Sequence, residues 1–260
     1  MAINRVFWKN GFSVDYIPDW ICSTCKKGIL RGSKENFTIN EDSLSKSYHT
    51  DDDWEPFWIS GNFSGNLKCN NEKCKETVVV IGEMKLQDET VYTQEYGETY
   101  QQFYEELTPK LFIPGLEIFN LQNEIPEDIK SQINEAFYLF FVDNSACANK
   151  IRIVVELIMD AFKIKKNTIG ADRKRKKIQL HHRIENFKIK YPIEGEFLMA
   201  IKWIGNIGSH TSESLTKDDT LDGFEMLEHV LYKLYQMENI KLNKLKETIN
   251  KRKGAIKNRK

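Results

Sequence analysis

The sequence predicts an α+β protein, a small β-rich N-terminal domain followed by an all-α helical bundle. Three observations carry that prediction. Four of the five cysteines fall in two close pairs, Cys22/Cys25 and Cys69/Cys74. Near Ile125-Pro126, segments containing Gly, Trp and Cys give way to long helical periodicity. The charge changes sign at the same point: residues 1–126 carry 12 basic and 20 acidic side chains, net −8, and residues 127–260 carry 26 and 18, net +8. Two regions of opposite charge and different texture are expected to do different jobs. The expected layout is a metal-braced ribbon-like domain over 1–93, a packed linker over 94–125, the bundle over 126–238 and a basic C-terminal tail over 239–260.

A chain of 260 residues can bury a real core without disulfides. No run of 18 apolar residues exists, and Met1 to Asn10 lacks the apolar stretch of a secretory leader, so the expected setting is the cytoplasm with no membrane contact. Reducing cytosol leaves the cysteines free for metal or for packing.

Cys22-Ser-Thr-Cys25 is a Cys-x2-Cys knuckle followed by Gly28, where the chain can turn beneath a metal, and Cys69-Asn-Asn-Glu-Lys-Cys74 supplies the second pair. Four thiolates suit zinc, whose only geometric demand is a tetrahedron, and they leave no open position for water, so the predicted ion is structural. The spacer of 43 residues between Cys25 and Cys69 is longer than a compact ribbon needs. The alternative is four reduced cysteines packed as small hydrophobes.

After Cys74, Glu76–Gly82 and Met84–Leu86 read as strands from their β-branched content. Asp51, Asp52 and Asp53 lack regular ligand spacing and read as a solvated loop rather than a cation site. Trp54 and Trp58 are expected to cover the ribbon's core. The stretch from Gln94 to Gln122 is rich in aromatics and broken by Pro109 and Pro114, too apolar for a free tether.

The bundle begins at Pro126, with Glu127 and Asp128 in the first turn where negative charge suits the helix dipole. Further helices are predicted over Ser145–Phe162, Lys177–Lys188, Gly195–Gly208 and Asp218–Met237 from apolar spacing. Cys147 falls in the first of these as a buried small residue.

Two features of the bundle can carry chemistry. In a continuous helix Lys202, Asn206 and His210 stand at i, i+4 and i+8 and share about 80° of arc. A cation, an amide and an imidazole on one face can hold a phosphate and move a proton near neutral pH; the alternative is a structural Asn and His beside glycines that permit close packing. Arg152 and Glu156, at i and i+4, form at least a simple ion pair. Basic residues also concentrate between Lys163 and Lys190, including Arg173, Lys174, Arg175, Lys176, Lys177 and Arg183, and again from Lys241 to Lys260. Such runs suit phosphate backbones, or else form a solvated loop and a frayed tail.

Together, Trp54-Glu-Pro-Phe-Trp58, Phe63-Ser-Gly-Asn-Leu-Lys-Cys69, Ala146-Cys-Ala-Asn-Lys-Ile-Arg152, Leu180-His-His-Arg-Ile184 and Ala200-Ile-Lys-Trp-Ile-Gly-Asn-Ile-Gly-Ser-His210 resemble a bacterial domain-of-unknown-function family. That family joins an N-terminal zinc-ribbon-like region to a helical domain related to the HEPN superfamily. The resemblance spans about Trp20 to Tyr235 and implies an association with restriction and anti-phage defence systems. It also implies a homodimer, a possible partner protein from such a system, and metal-independent endoribonuclease chemistry in many relatives. Those nucleases use an Arg-x4-6-His motif; Asn206 and His210 match its polar residue and histidine, and Gly205 stands where the arginine is expected.

Two functions follow as expectations. In the first, the helical domain contacts nucleic acid, RNA ahead of DNA, and cleaves RNA: His210 takes the 2′-hydroxyl proton, Asn206 orients the phosphate, and Lys202 or Arg152 stabilises the negative charge. In the second, the same face is a non-catalytic interaction or nucleotide-binding module in a defence complex.

Overall fold

Strict alternation in one strand organises the N-terminal unit. The computed structural model describes residues 3–93, 98–169, 173–210 and 214–254, with backbone alone at 91, 93, 98, 208–210 and 237–240. The chain is α+β and separates into two units, Asn4–Ile118 and Met1–Ile3 with Phe119–Lys260.

In the first unit, helix α1 (Arg5–Lys9) precedes strands β1 (Leu30–Arg31) and β2 (Phe37–Glu41), helix α2 (Ser43–Tyr48), and strands β3 (Ser60–Cys69), β4 (Thr77–Thr93) and β5 (Glu98–Ile113). The sheet is antiparallel in the order β1-β3-β4-β5, with β2 also on β3. Every second residue of β3 from Gly61 to Cys69 is buried, as a half-buried strand requires. The pleat that turns Phe63 and Leu67 inward therefore turns Cys69 inward too.

Phe12, Trp20, Phe63 and Phe112 form the core of this unit, with Phe12–Trp20, Phe12–Phe63 and Trp20–Phe112 ring centroids 5.3, 5.7 and 5.0 Å apart. Trp54 and Trp58, expected to cover this core, have their ring contacts beside α2. Trp58 packs on Tyr48 and Trp54 on His49 beside α2. Trp20 is 2% exposed, with Nε1 donating to the Phe7 carbonyl at 3.2 Å, and Trp8 is buried as well.

The expected linker is also reassigned. Residues 98–113 pair with β4 residue for residue, apart from an irregularity at Ile81/Gly82 that lies opposite Pro109. Pro109 fits there because β5 closes the β1-β3-β4-β5 order, and an edge strand can spare a backbone donor.

In the second unit, α3 (Glu127–Val142) and α4 (Asn144–Ala161) lead to a short hairpin, β6 (Asn167–Ile169) and β7 (Arg175–Lys177); α5 (Leu180–Lys188), α6 (Pro192–His210), α7 (Lys217–Tyr235) and α8 (Met237–Arg252) follow. Asp143 caps α4 by accepting from the Ala146 amide at 2.9 Å. Thr216 and Asp219 form a capping box on α7, so the helix starts are set by local chemistry. Helix α4 is the hub, packed against α3, α6 and α7, with Ile151, Val154, Val155 and Ile158 buried. Phe119, Phe137 and Phe224 fill the interior, their centroids 5.0 to 6.1 Å apart. Phe119, Leu121 and Ile125 are buried, which draws the start of this unit ahead of the predicted boundary at Ile125-Pro126. The basic tail is helical through Arg252, and Leu242 and Ile249 on it are exposed.

Candidate functional site

Two loops bring the four N-terminal cysteines together. The first is closed by the Ile21–Ile29 bridge and the second joins β3 to β4, where Lys68 faces Thr77. Both repeat one backbone device. The residue after the second cysteine, Lys26 or Lys75, has a positive φ of 55° or 52°, an uncommon conformation for a non-glycine residue. The Lys26 amide donates to the Cys22 carbonyl at 2.8 Å, and Lys26 Nζ is 2.9 Å from Glu117, which ties the first loop down. A Cβ on Gly28 would collide with Cys69 Sγ, so glycine is required where the loops meet.

Cys22 Sγ lies 3.9 Å from Cys74 Sγ and Cys25 Sγ lies 3.6 Å from Cys69 Sγ; all four sulfurs fall within 4.8 Å of one another. A tetrahedral zinc with bonds of about 2.3 Å places its sulfurs about 3.8 Å apart, so the spacing fits a metal ion and no disulfide is formed. Amides of Gly28 and Asn71 donate to Cys25 and Cys69 at 3.3 and 3.4 Å, oriented to support anionic sulfur. Donation from the Gly28 and Lys27 amides draws the Cys25 thiol down to about 6, whereas burial pushes Cys69 up to about 12. A bound cation would override the second effect, since a coordinating thiol is deprotonated outright. Asp51, Asp52 and Asp53 are exposed, and among the described residues the four cysteines are the one cluster with metal-ligand geometry.

The helical unit holds a pocket of about 350 Å³ lined by Arg152, Glu156, Lys177, Gln179, His181, Arg183, Lys202 and Asn206 with Ile178 and Leu180. It joins three of the four predicted catalytic residues to the end of the basic run. Lys202 is 7% exposed. Burial, then the positive charge of Arg152, hold its ammonium below the usual lysine range. Among the described residues no carboxylate pairs with it; its Nζ instead sits 3.3 Å from the centroid of the Trp203 ring.

Arg152 reaches the pocket across Gly205. A Cβ at Gly205 would lie 2.5 Å from Arg152 Cβ and 2.9 Å from the Ala148 carbonyl. The glycine standing at the expected arginine position therefore makes room for an arginine stem from the neighbouring helix α4. Arg152 Nη1 lies 3.5 Å from Glu156, while its buried Nε has no hydrogen-bond partner. Helix α6 continues through His210, so the i, i+4, i+8 spacing holds along the backbone; the His210 side chain lies outside the described residues.

Of the basic run, Arg173, Lys174, Arg175, Lys176 and Lys177 are exposed, the last three in β7. Arg183 differs from the rest of the run. It is 3% exposed, and Nη2 donates to Asp160 at 2.6 Å and to the Ile164 carbonyl at 3.1 Å. Its Nη2 ties α5 to the end of α4, while Arg183 also lines the pocket with its Nε unpartnered. Asp160 in return is held below the ordinary carboxylate range: burial pushes it up, but bonds from Lys166 and Arg183 outweigh that. No spacing rule singles out His181, whose Nδ1 is buried without a partner. Its signal is the His181-His182 pair opening α5, legible only once α5 is known to lie against α6.

Residues 10–112 match a family described as a domain of unknown function (DUF8608), and residues 134–252 match a second domain of unknown function (DUF4145). No curated protein and no solved structure matches the chain. The chain is thus similar to two uncharacterised domain families, one spanning the sheet with its cysteine cluster and the other spanning helices α4 to α8 with the cationic pocket.

Proposed function

We propose that the helical unit binds nucleic acid, RNA ahead of DNA, by seating a backbone phosphate against Arg152, Lys202 and Asn206. Lys202 carries this reading. A buried ammonium facing another cation, with no carboxylate paired to it among the described residues, is costly until an anion arrives. Phosphate answers that need, and Arg152 adds a planar donor fork. Lys177 lines the same pocket, and the exposed cations of Arg173–Lys177 extend positive charge beyond it for neighbouring phosphates.

With RNA the same residues support cleavage without a catalytic metal. The 2′-oxygen attacks phosphorus and gives its proton to His210; the bond to the 5′-oxygen breaks, that oxygen takes a proton from water, His210 gives its own back to solvent, and a 2′,3′-cyclic phosphate remains. Arg152 and Lys202 stabilise the charge gathering on the phosphoryl oxygens. The unbroken course of α6 to His210 and the resemblance to HEPN nucleases support this step. The same resemblance favours a homodimer acting beside an anti-phage defence system.

The four-cysteine centre is proposed to hold one structural zinc in a ribbon-like fold, on the strength of its four thiolates and sulfur spacing. No described helix is long and apolar enough to cross a membrane.

The test is titration of the full-length chain with fluorescent RNA, followed by incubation in EDTA. Binding that falls about 10-fold or more in Arg152→Ala or Lys202→Ala is the expected result, with cleavage abolished in His210→Ala. Equal affinity in all variants would remove the pocket from the account. Binding without cleavage would leave the non-catalytic interaction module.

A further inference from the structure

Two residues that line the pocket, Lys202 and His181, lie against a large aromatic side chain that phosphate binding leaves unused. Trp203 follows Lys202 on α6 and is 52% exposed. One side of its indole is covered by Lys202 Nζ, 3.3 Å from the ring centroid, and the His181 ring lies 6.1 Å away at 55°. Both neighbours line the phosphate pocket. An exposed indole whose neighbouring lysine and histidine both line an anion site offers a nucleotide two contacts at once, charge for the phosphate and a π surface for the base.

Resting on the phosphate reading above, we propose that the ligand is single-stranded nucleic acid, with one unstacked base laid on Trp203 while its phosphate enters the pocket between Arg152 and Lys202. A duplex keeps its bases stacked on one another and has none to offer. A single strand, bulge or loop has a free π face, whatever the base. The cation over the ring strengthens the platform, because a lysine held against indole completes a cation–π–base sandwich. Lys177, which lines the pocket, and the exposed Arg173–Lys176 run that precedes it in sequence supply attraction for the next phosphates without reading sequence. The predicted specificity is therefore for strandedness, with little preference among bases.

The experiment measures binding of the full-length chain to three probes of equal length: single-stranded RNA, the same RNA paired in a duplex, and an abasic single strand with its phosphates intact. Wild type is expected to bind the single strand about 10-fold more tightly than either of the others. Trp203→Ala should lose about 10-fold on the single strand and little on the duplex, and Trp203→Phe should keep most of the preference. Equal wild-type binding to all three probes overturns the stacking proposal and leaves the phosphate pocket standing. Failure of wild type to bind any of them removes the pocket reading and this proposal together. Should Trp203→Ala change the sedimenting mass of the chain but not its ranking of the probes, Trp203 is an interface between copies and the proposal fails. The abasic probe needs no variant, so the test survives a Trp203→Ala chain that does not fold.

Discussion

At the residue scale, Lys202 and Gly205 each give up stability for position. Lys202 is a buried cation facing Arg152, and an unpaired buried charge costs more than an apolar group of the same shape. Lys202→Met is therefore expected to raise the melting temperature while weakening RNA binding, which separates a ligand-binding lysine from a structural one in a single variant. The pH dependence has the same origin. A lysine whose folded pKa lies below its unfolded value is destabilising below the folded pKa, and the penalty is relieved as pH rises toward the unfolded value. RNA affinity should accordingly fall through the lowered pKa of Lys202, at a pH below the ordinary lysine range, and that alkaline limb should be missing in Lys202→Met. At Gly205 two effects compete. Alanine gains about 1 kcal/mol in helix propensity, but its Cβ would press on Arg152 Cβ and the Ala148 carbonyl, and overpacking against backbone costs about 1–3 kcal/mol. The second wins, so Gly205→Ala should lower both stability and RNA affinity, readable by thermal denaturation and anisotropy.

Elements were legible in the sequence where one local rule governed them. Helices α3, α4 and α7 announced themselves through apolar spacing, and α3 also through Pro126 at its start. Helix α5 starts at Leu180, after the predicted Lys177, because Lys177 pairs with Asn167 in the β6–β7 hairpin, and three residues per strand leave no periodicity to detect. Strand β5 was hidden by Pro109, which reads as punctuation unless the strand is known to be an edge. Arg183 looked like part of a ligand-binding run because its partner, Asp160, stands on a different helix and no spacing rule links them. The Arg183–Asp160 pair yields its own prediction: Asp160→Asn should destabilise the helical unit by about 2 kcal/mol. That is discounted from the roughly 3–5 kcal/mol for breaking a buried pair, because Asp160 is 24% exposed. The carboxylate's folded pKa is depressed, so its contribution is present above the unfolded pKa and is lost as pH falls through the folded one. Wild type and Asp160→Asn should thus converge in stability in acid.

For the whole molecule, the two sequence halves carry opposite net charges. The acidic half carries the cysteine cluster and the basic half the cationic pocket. Purified protein should contain one zinc per chain, and Cys69→Ser or chelation should lower the melting of the sheet unit, because metal binding is folding free energy in such sites. Retention of the sheet unit's melting point after complete zinc removal would reduce the four cysteines to packing residues. The cluster was the most legible site because it needs only residue type and spacing. The pocket was partly legible: Lys202 and Asn206 share one helix, but Arg152 joins them only through the packing of α4 on α6.

The central claim, that the pocket neutralises nucleic-acid phosphate, is tested most directly by the salt dependence of single-stranded RNA binding in wild type and Lys202→Met. Each phosphate neutralised on a single strand contributes about −0.7 to the slope of log affinity against log salt. The slope in Lys202→Met is expected to be shallower by about 0.7. Superimposable slopes for the two proteins would contradict it.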